Sequence, residues 1–342
     1  MLSRRRFLKL SSAGALGACL TKLPRIPSHP TPTPEPIIIG RTVDYVGMFD
    51  APSYAAEKIG AFGAEELIPI YEVVEGQGSY NRTWYRCEEG YIYSSNVVPM
   101  EPYTAPPPLV THLSTWGAWA EVVAPWSDSR TAPRHDADFM YRLYYSSVHH
   151  IVKTRRSDTG AWWYQIDDPR YGEFYWAEAA HLRVLGPRAF APIHPDAEDK
   201  SIEISLEAHI LTAYEGDTPV LQTTISSGET FFWKDDTTDY FETPAGGYRV
   251  LLKAPARHMG SSGTLGRFDY PGVPWCTFFT DDGLAIHGTY WHNDFGCKRS
   301  HGCINMRPAE ALWIFRWTVP EMPYEAEWMG TGHMTTTPIY IY

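Results

Sequence analysis

The 342-residue chain has no long apolar run, few cysteines and fewer basic than acidic residues. Without about 20 consecutive apolar residues, no segment is long enough to be a transmembrane helix. The 29 Lys and Arg against 40 Asp and Glu give a net charge of −11 at pH 7, which argues against a nucleic-acid partner. No pair among the five cysteines has the Cys-x₂₋₄-Cys spacing of structural zinc sites. We therefore expect no nucleic-acid partner and no metal.

The first residues predict an export signal. Ser3-Arg4-Arg5-Arg6-Phe7-Leu8-Lys9 has the order and spacing of a twin-arginine pattern, and Leu16-Gly17-Ala18-Cys19 is similar to a lipobox. We expect residues 1–18 to be a signal peptide and Cys19 to carry lipid, because two acyl chains anchor a protein stably. A plain cleavable signal with an incidental Cys19 is the alternative. Residues 19–39 are rich in proline and predict an extended tether.

Residues 40–106 and 115–187 have the pattern of a diverged internal repeat. Each copy predicts a strand, a turn, a strand led by tryptophan, a glycine turn and a short aromatic strand. This order is similar to that of small bacterial SH3-like β-barrels. Such modules either bind wall peptides or glycans, or act as spacers in which Trp84, Trp162 and Trp163 belong to the core. Both roles stay open.

The last part of the chain predicts more β structure. Residues 201–207 alternate apolar and polar side chains, and residues 211–214, 220–225, 248–252 and 335–342 read as further strands. Residues 255–275, rich in Gly, Ser and Pro, predict a loop or lid that borders the active site. A hairpin through Asp281-Asp282-Gly283 would place His287 at the end of a strand. Pro308 can open a helix whose apolar face comprises Leu312 and Phe315 with neighbouring Ala311 and Ile314.

The densest group of reactive side chains is His287 followed by Ser300-His301-Gly302-Cys303-Ile304-Asn305. A cysteine attacks as the thiolate, and an ordinary thiol with a pKa near 8.5 needs a base at neutral pH. His287 lies sixteen residues before Cys303 and suits that role. Gly302 allows close approach of the backbone to a substrate. The N–H groups of Gly302 and Cys303 could stabilise an oxyanion.

This arrangement resembles the signature of the L,D-transpeptidase catalytic domain, a His followed at a distance by Ser/Thr-His-Gly-Cys-apolar-Asn/Arg. Residues 201–228 are similar to the first strands of that domain, and Glu242-Thr243-Pro244-Ala245-Gly246 to its turn. The resemblance covers residues 198–342. The expected fold is therefore mainly β, with two small SH3-like barrels before a β-sandwich-like domain that carries one or two short helices.

The resemblance implies a role for each residue of the signature. Cys303 is the nucleophile and His287 the general base, and the carbonyl of Gly288 orients the imidazole. His301 supports the oxyanion site together with Gly302 and Ser300, although His301 could instead be the base. Four further residues are expected to meet the substrate or, for the first two, to brace the loop: Asn305, Arg307, Tyr290 and Trp291.

The implied reaction joins stem peptides of peptidoglycan and needs no cofactor. Cys303 would attack the carbonyl before the terminal D-Ala of a stem tetrapeptide, and an amine of a neighbouring stem would attack the thioester and form a cross-link. Water in place of the amine would make the protein an L,D-carboxypeptidase. The partners would be the cell wall and, through the lipid, the membrane. The protein would be exported and anchored to the outer face of the cytoplasmic membrane, facing the wall.

Two alternatives belong to other classes. A non-catalytic cell-wall-binding envelope lipoprotein would use its modules alone. A metal site could use the cluster His287, His292, Cys297, His301 and Cys303, but its spacing does not fit structural zinc sites. The cysteines also leave disulfide pairing open among Cys87, Cys276, Cys297 and Cys303. Cys297 could pair with Cys276, or with Cys303 and inactivate the enzyme.

Overall fold

Hydrogen-bonded strands form most of the regular structure. The computed structural model describes residues 35–170, 172–232, 238–260 and 268–342. The predicted signal peptide, Cys19 and most of the tether lie outside these residues. The expected mainly β fold is confirmed, with a single α-helix in the described part of the chain. No helix within that part combines the length and apolar character needed to cross a membrane.

The first predicted module contains two sheets. One has the order β4-β1-β8 and the other the order β3-β2-β7-β6-β5. Trp84 is fully buried, and its ring contacts those of Phe49, Tyr54 and Tyr93. Trp84 is therefore a core residue. The strands are β1 Ile38–Thr42, β2 Val46–Phe49, β3 Lys58–Phe62, β4 Leu67–Ile70, β5 Glu72–Glu75, β6 Thr83–Arg86, β7 Tyr91–Tyr93 and β8 Val97–Met100.

The second predicted module is one seven-stranded sheet. Its strands are β9 Ala118–Val122, β10 Trp126–Arg130, β11 Phe139–Tyr144, β12 Val148–Arg156, β13 Trp162–Asp168, β14 Glu173–Glu178 and β15 Leu182–Leu185, in the spatial order β11-β10-β14-β13-β12-β9-β15. Trp163 is buried, whereas Trp162 is partly exposed. The similarity of both modules to SH3-like barrels and their boundaries stay predictions.

The last part of the chain packs two five-stranded sheets with one helix. The sheets have the orders β18-β17-β16-β29-β22 and β27-β25-β24-β23-β28. The elements are β16 Lys200–Ser205, β17 Ile210–Glu215, β18 Thr218–Thr224, β19 Ser227–Gly228, β20 Thr230–Phe232, β21 Thr238–Tyr240, β22 Gly246–Arg249, β23 Leu252–Gly260, β24 Asp269–Phe278, β25 Ala285–Gly288, β26 Lys298–Ser300, β27 Ile304–Met306, α1 Pro308–Trp317, β28 Met329–Gly330 and β29 Pro338–Ile341.

The helix begins where the sequence predicts. Pro308 occupies its first turn, where the missing N–H of proline costs nothing. Of the predicted apolar face, Ala311, Ile314 and Phe315 are buried and Leu312 is partly buried. They join the core that the strands around His287 also enter.

The strand expected at residues 248–252 is wrong, because the chain changes sheets there. The N–H of Val250 donates to the carbonyl of Thr337, which directly precedes β29 of the first sheet. The N–H of Leu251 donates to the carbonyl of Phe278, which ends β24 of the second sheet. The predicted loop 255–275 is also largely wrong. Leu252–Gly260 and Asp269–Phe278 are the two strands of a long hairpin, whose tip at 261–267 lies outside the described residues.

Residues Pro36–Tyr342 form one compact unit. Trp119, Val148 and Leu185 of the second module belong to the same apolar core as the last part of the chain. Gly272 makes this close packing possible, because a Cβ at this position would lie 2.3 Å from the ring of His149. The second module and the last sheets therefore share an interior.

Candidate active site

His287 lies on a strand beside the loop that carries Cys303. β24 and β25 pair through Thr277 and Ile286 across the predicted hairpin. β25 also pairs in parallel with β27, so that His287 is opposite Asn305. Side chains of a strand alternate between faces, and Cys303 precedes Asn305 by two residues. Cys303 lies just before β27, and all three residues line one cleft.

The imidazole of His287 is fixed by its own strand. Nδ1 lies 3.0 Å from the carbonyl oxygen of Gly288, and Nδ1 must donate because a carbonyl only accepts. The neutral ring therefore keeps Nε2 as the free acceptor. Burial lowers the pKa of His287 to about 4. At neutral pH the residue is an uncharged base.

Cys303 is half-buried at the base of the cleft. Burial raises the pKa of its thiol to about 11, although the backbone N–H of Ala285 bonds to the sulfur and acts in the opposite direction. The resting thiol is therefore protonated. A neutral thiol and a neutral imidazole in one cleft favour proton transfer during attack over a preformed ion pair.

The loop before Cys303 is held by two hydroxyl groups. Ser300 Oγ donates to the carbonyl of Cys303 at 2.5 Å and accepts the N–H of Gly302 at 3.1 Å. Thr243 Oγ1 donates to the carbonyl of Gly302 at 2.8 Å. Gly302 has φ +102°, a conformation that favours glycine. The N–H of Gly302 is thus engaged inside the loop, and an oxyanion would have to compete for it.

His292 sets the orientation of Asn305. Its Nδ1 accepts the backbone N–H of Asp294 at 3.1 Å, so Nε2 carries the ring hydrogen. The atom 2.9 Å from Nε2 is Nδ2 of the Asn305 amide. Since two N–H donors cannot bond to each other, we assign the amide in the reversed orientation, with its oxygen facing Nε2. The other end of the amide is buried without a hydrogen-bond partner in the described part of the chain. That end is a donor within reach of the cleft.

A cleft of about 840 Å³ brings most of the predicted residues together. Those in its wall are His287, Ser300, His301, Cys303, Asn305 and Trp291. Trp291 stacks on Tyr270 with ring centroids 4.0 Å apart, and its ring is 5.8 Å from that of His287. His301 packs between Phe241 and Phe268.

Residues 199–341 match the YkuD family model, described as an L,D-transpeptidase catalytic domain. The prediction of this domain from the sequence is confirmed. None of the curated proteins compared matches the chain.

Two solved structures illustrate the similarity of the transpeptidase domain. A mutant of an Enterococcus faecium L,D-transpeptidase is 25% identical, covers 47% of this chain and 55% of its own, and gives a TM-score of 0.31. An L,D-transpeptidase from Xylanimonas cellulosilytica is 27% identical, covers 46% of this chain and 71% of its own, and gives 0.29. This chain thus spans about half of the Enterococcus protein. The low TM-scores leave the family match as the basis of the assignment.

Two predicted substrate residues of the transpeptidase domain lie outside the cleft wall. Tyr290 is buried and donates to the carbonyl of Pro271 at 2.7 Å. Arg307 reaches Thr224 and Glu310 and lies over the ring of Phe295. These contacts agree with the bracing role considered for Arg307.

Sequence reasoning missed several residues of the cleft. Arg257 and Arg299 of the transpeptidase domain and Arg170 of the second module line it, so that cations border the site of an acidic protein. The sequence places Thr243 in a turn motif but does not predict that it supports the loop of Cys303. A threonine within a family motif is a signal that could have identified it.

The thiols of Cys87, Cys276, Cys297 and Cys303 are all free. Cys297 lies 3.7 Å from the carbonyl of Asp294. Among the described residues, the clustered potential metal ligands are His150, Asp167 and Glu327, none of which belongs to the His287–Cys303 cluster.

Proposed function

We propose that the protein is a peptidoglycan L,D-transpeptidase with Cys303 as nucleophile and His287 as general base. The observation that carries the proposal is the bond from His287 Nδ1 to Gly288, which leaves Nε2 as a base in the cleft that also contains Cys303. The match of residues 199–341 to the transpeptidase family supports the reaction class.

The reaction proceeds through a thioester. His287 Nε2 takes the proton of the thiol while sulfur attacks the carbonyl carbon before the terminal D-Ala of a stem peptide. The C–N bond breaks, and His287 returns the proton to the leaving amine. An amine of a second stem then loses a proton to His287 and attacks the thioester. The new amide forms, and the released thiolate is protonated again.

The cleft supplies groups for an anionic peptide. The free end of the Asn305 amide can donate to a substrate carbonyl, and the N–H of Cys303 to the oxyanion. Arg257 and Arg299 line the same cleft and suit the carboxylates of a stem peptide.

The same proposal places the protein outside the cytoplasm. Arg4 and Arg5 support twin-arginine export, and Cys19 supports a lipid anchor on the outer face of the cytoplasmic membrane. Two SH3-like modules would stand between this anchor and the transpeptidase domain. The thioester reaction requires no cofactor, because the thiol and the imidazole supply the nucleophile and the base.

The test is incubation of residues 20–342 with disaccharide-tetrapeptides, followed by mass spectrometry. We expect cross-linked dimers with loss of D-Ala, and none with Cys303→Ala or His287→Ala. Cys297 is also a half-buried thiol, so Cys297→Ser is the matched control and should retain activity. Cross-linking by Cys303→Ala would refute the nucleophile. Tripeptide products alone would indicate an L,D-carboxypeptidase, and no turnover with intact wall binding would favour the non-catalytic lipoprotein.

A further inference from the structure

The second module reaches into the wall of the catalytic cleft. β13 ends at Asp168, and the next two residues, Pro169 and Arg170, line the same cleft as Cys303. They face the outer half of the β23–β24 hairpin, at residues 257–260 and 268–270. One side of the cleft is therefore built by two distant parts of the chain.

The guanidinium of Arg170 binds backbone carbonyls at the end of strand β23. Its Nη1 donates to the carbonyl of His258 at 3.1 Å, and its Nη2 donates to the carbonyl of Gly260 at 2.7 Å. These are the last residues before the tip of the hairpin. A guanidinium can satisfy two carbonyls at once because its donors have a fixed geometry.

Asp168 holds the same hairpin through a side chain. Its Oδ2 lies 2.6 Å from Nδ1 of His258, and Oδ1 of Asp269 lies 2.5 Å from Nε2 of the same ring. The side chain of His258 is only 1% exposed. Carboxylates at both ring nitrogens require two N–H donors, which the imidazolium alone provides. His258 thus joins both hairpin strands to the second module.

We infer that Asp168 and Arg170 are positioning residues that hold the β23–β24 hairpin at the cleft, which makes the second module part of the catalytic unit. The inference rests on the proposed function for its effect on turnover. The hydrogen bonds from Arg170 and the His258 bridge act on the same few residues, so loss of either loosens the wall that the substrate contacts.

The bridge through His258 responds to pH. Burial alone would lower the pKa of His258, but its bonds to Asp168 and Asp269 outweigh burial and raise it. His149 and the ring of Tyr141 also face this group, and Tyr175 donates to Asp168 at 3.2 Å. A raised folded pKa means that the bridge stabilises the hairpin at low pH. This contribution is lost as the pH rises through the pKa of His258.

The first experiment compares Arg170→Ala with Arg155→Ala, an exposed arginine of the same module. Hydrogen–deuterium exchange is followed on peptides from Leu252–Gly260 and Asp269–Phe278. In Arg170→Ala we expect at least tenfold faster exchange there, with kcat/KM reduced at least fivefold and mainly through KM. Arg155→Ala should match the wild type. Unchanged exchange of the hairpin in Arg170→Ala would overturn the inference.

The second experiment uses Asp269→Asn, at a half-exposed carboxylate. Loss of one carboxylate lowers the pKa of His258. The pH at which hairpin protection and kcat/KM decline on the alkaline side should therefore move down by about one unit. A purely structural role would not move this pH, and an unmoved profile would refute the bridge. Exchange needs no turnover, so an inactive wild type would refute the proposed function while the hairpin comparison still decides the inference.

Discussion

Arg41 Nη2 donates a 2.7 Å hydrogen bond to the carbonyl oxygen of Tyr290, a residue 249 positions further along the chain. The guanidinium is buried and lies 4.3 Å from the ring centroid of Tyr144. One cation of the first module thus contacts the second module and the segment that follows His287. Burial lowers the pKa of Arg41, while Tyr144 and Glu65 act to raise it.

Replacing Arg41 with Met should loosen the segment after His287. The carbonyl of Tyr290 would be left unpaired and buried, which costs about 1–3 kcal/mol. We expect this loss in urea unfolding, together with a lower kcat because Trp291 follows Tyr290. Arg82→Met, at an exposed arginine of the same module, should change stability by less than about 0.5 kcal/mol. Equal stability of the two variants would contradict this prediction.

Acylation of Cys303 should persist in mild acid. Because the pKa of His287 is lowered to about 4, the base stays unprotonated down to about pH 5. A carbapenem has a strained, electrophilic carbonyl, which we expect the proposed nucleophile Cys303 to attack and retain as an adduct. Its rate of formation, measured by intact-protein mass spectrometry, should change little from pH 7 to 5 and fall near pH 4. A decline centred near pH 6.5 would mean an ordinary histidine.

Stability should fall in acid because of buried neutral histidines. Burial lowers the pKa of His292 and of His149 to about 3, and that of His287 to about 4. The unfolded chain binds the extra protons below about pH 6.5, so stability is present above that pH and declines below it. For one histidine the loss is about 2 kcal/mol at pH 5. His292→Gln should show a correspondingly smaller decline in urea unfolding than the exposed control His112→Gln.

Lys253 should be a strong contributor to stability. It is buried, and its ammonium donates to the carbonyls of Thr318 and Pro320 at 3.0 Å each, just after α1. Burial lowers its pKa to about 7. Lys253→Ala should cost about 2–4 kcal/mol in thermal or urea unfolding, since both carbonyls lose their donor. The control is Lys153→Met, at an exposed lysine. A comparable loss of stability in that variant would contradict the predicted contribution of Lys253.

Local patterns predicted the parts of the transpeptidase domain that depend on near neighbours. The turn Asp281-Asp282-Gly283 and the proline at 308 correctly gave the hairpin before His287 and the start of α1. The hairpin at residues 252–278 was missed because its prolines suggested a loop. Within the described part of the chain, the flanking strands pair only with its inner ends: β28 with Leu252 and Lys253, and β25 with Thr277 and Phe278. The outer halves of β23 and β24 therefore each have an edge without a neighbouring strand in that part. Proline is tolerated on such edges.

Long-range contacts could not be predicted from the sequence. Periodicity shows that a residue is buried but not what covers it. Nothing near Arg170 indicates that its partners are the carbonyls of residues 258 and 260, and nothing near Arg41 indicates Tyr290. The motif located the reacting side chains, whereas the walls of the cleft come from pairings across the whole chain.

The interior shared by Trp119, Val148 and Leu185 with the transpeptidase domain has a consequence for how the molecule melts. Elements that bury one common core cannot unfold one at a time without exposing apolar surface on those that remain. The second module and the transpeptidase domain should therefore lose structure in a single cooperative calorimetric transition. Folding should be slow for a chain of this length, because contacts that span 139 and 205 residues must form before that core closes.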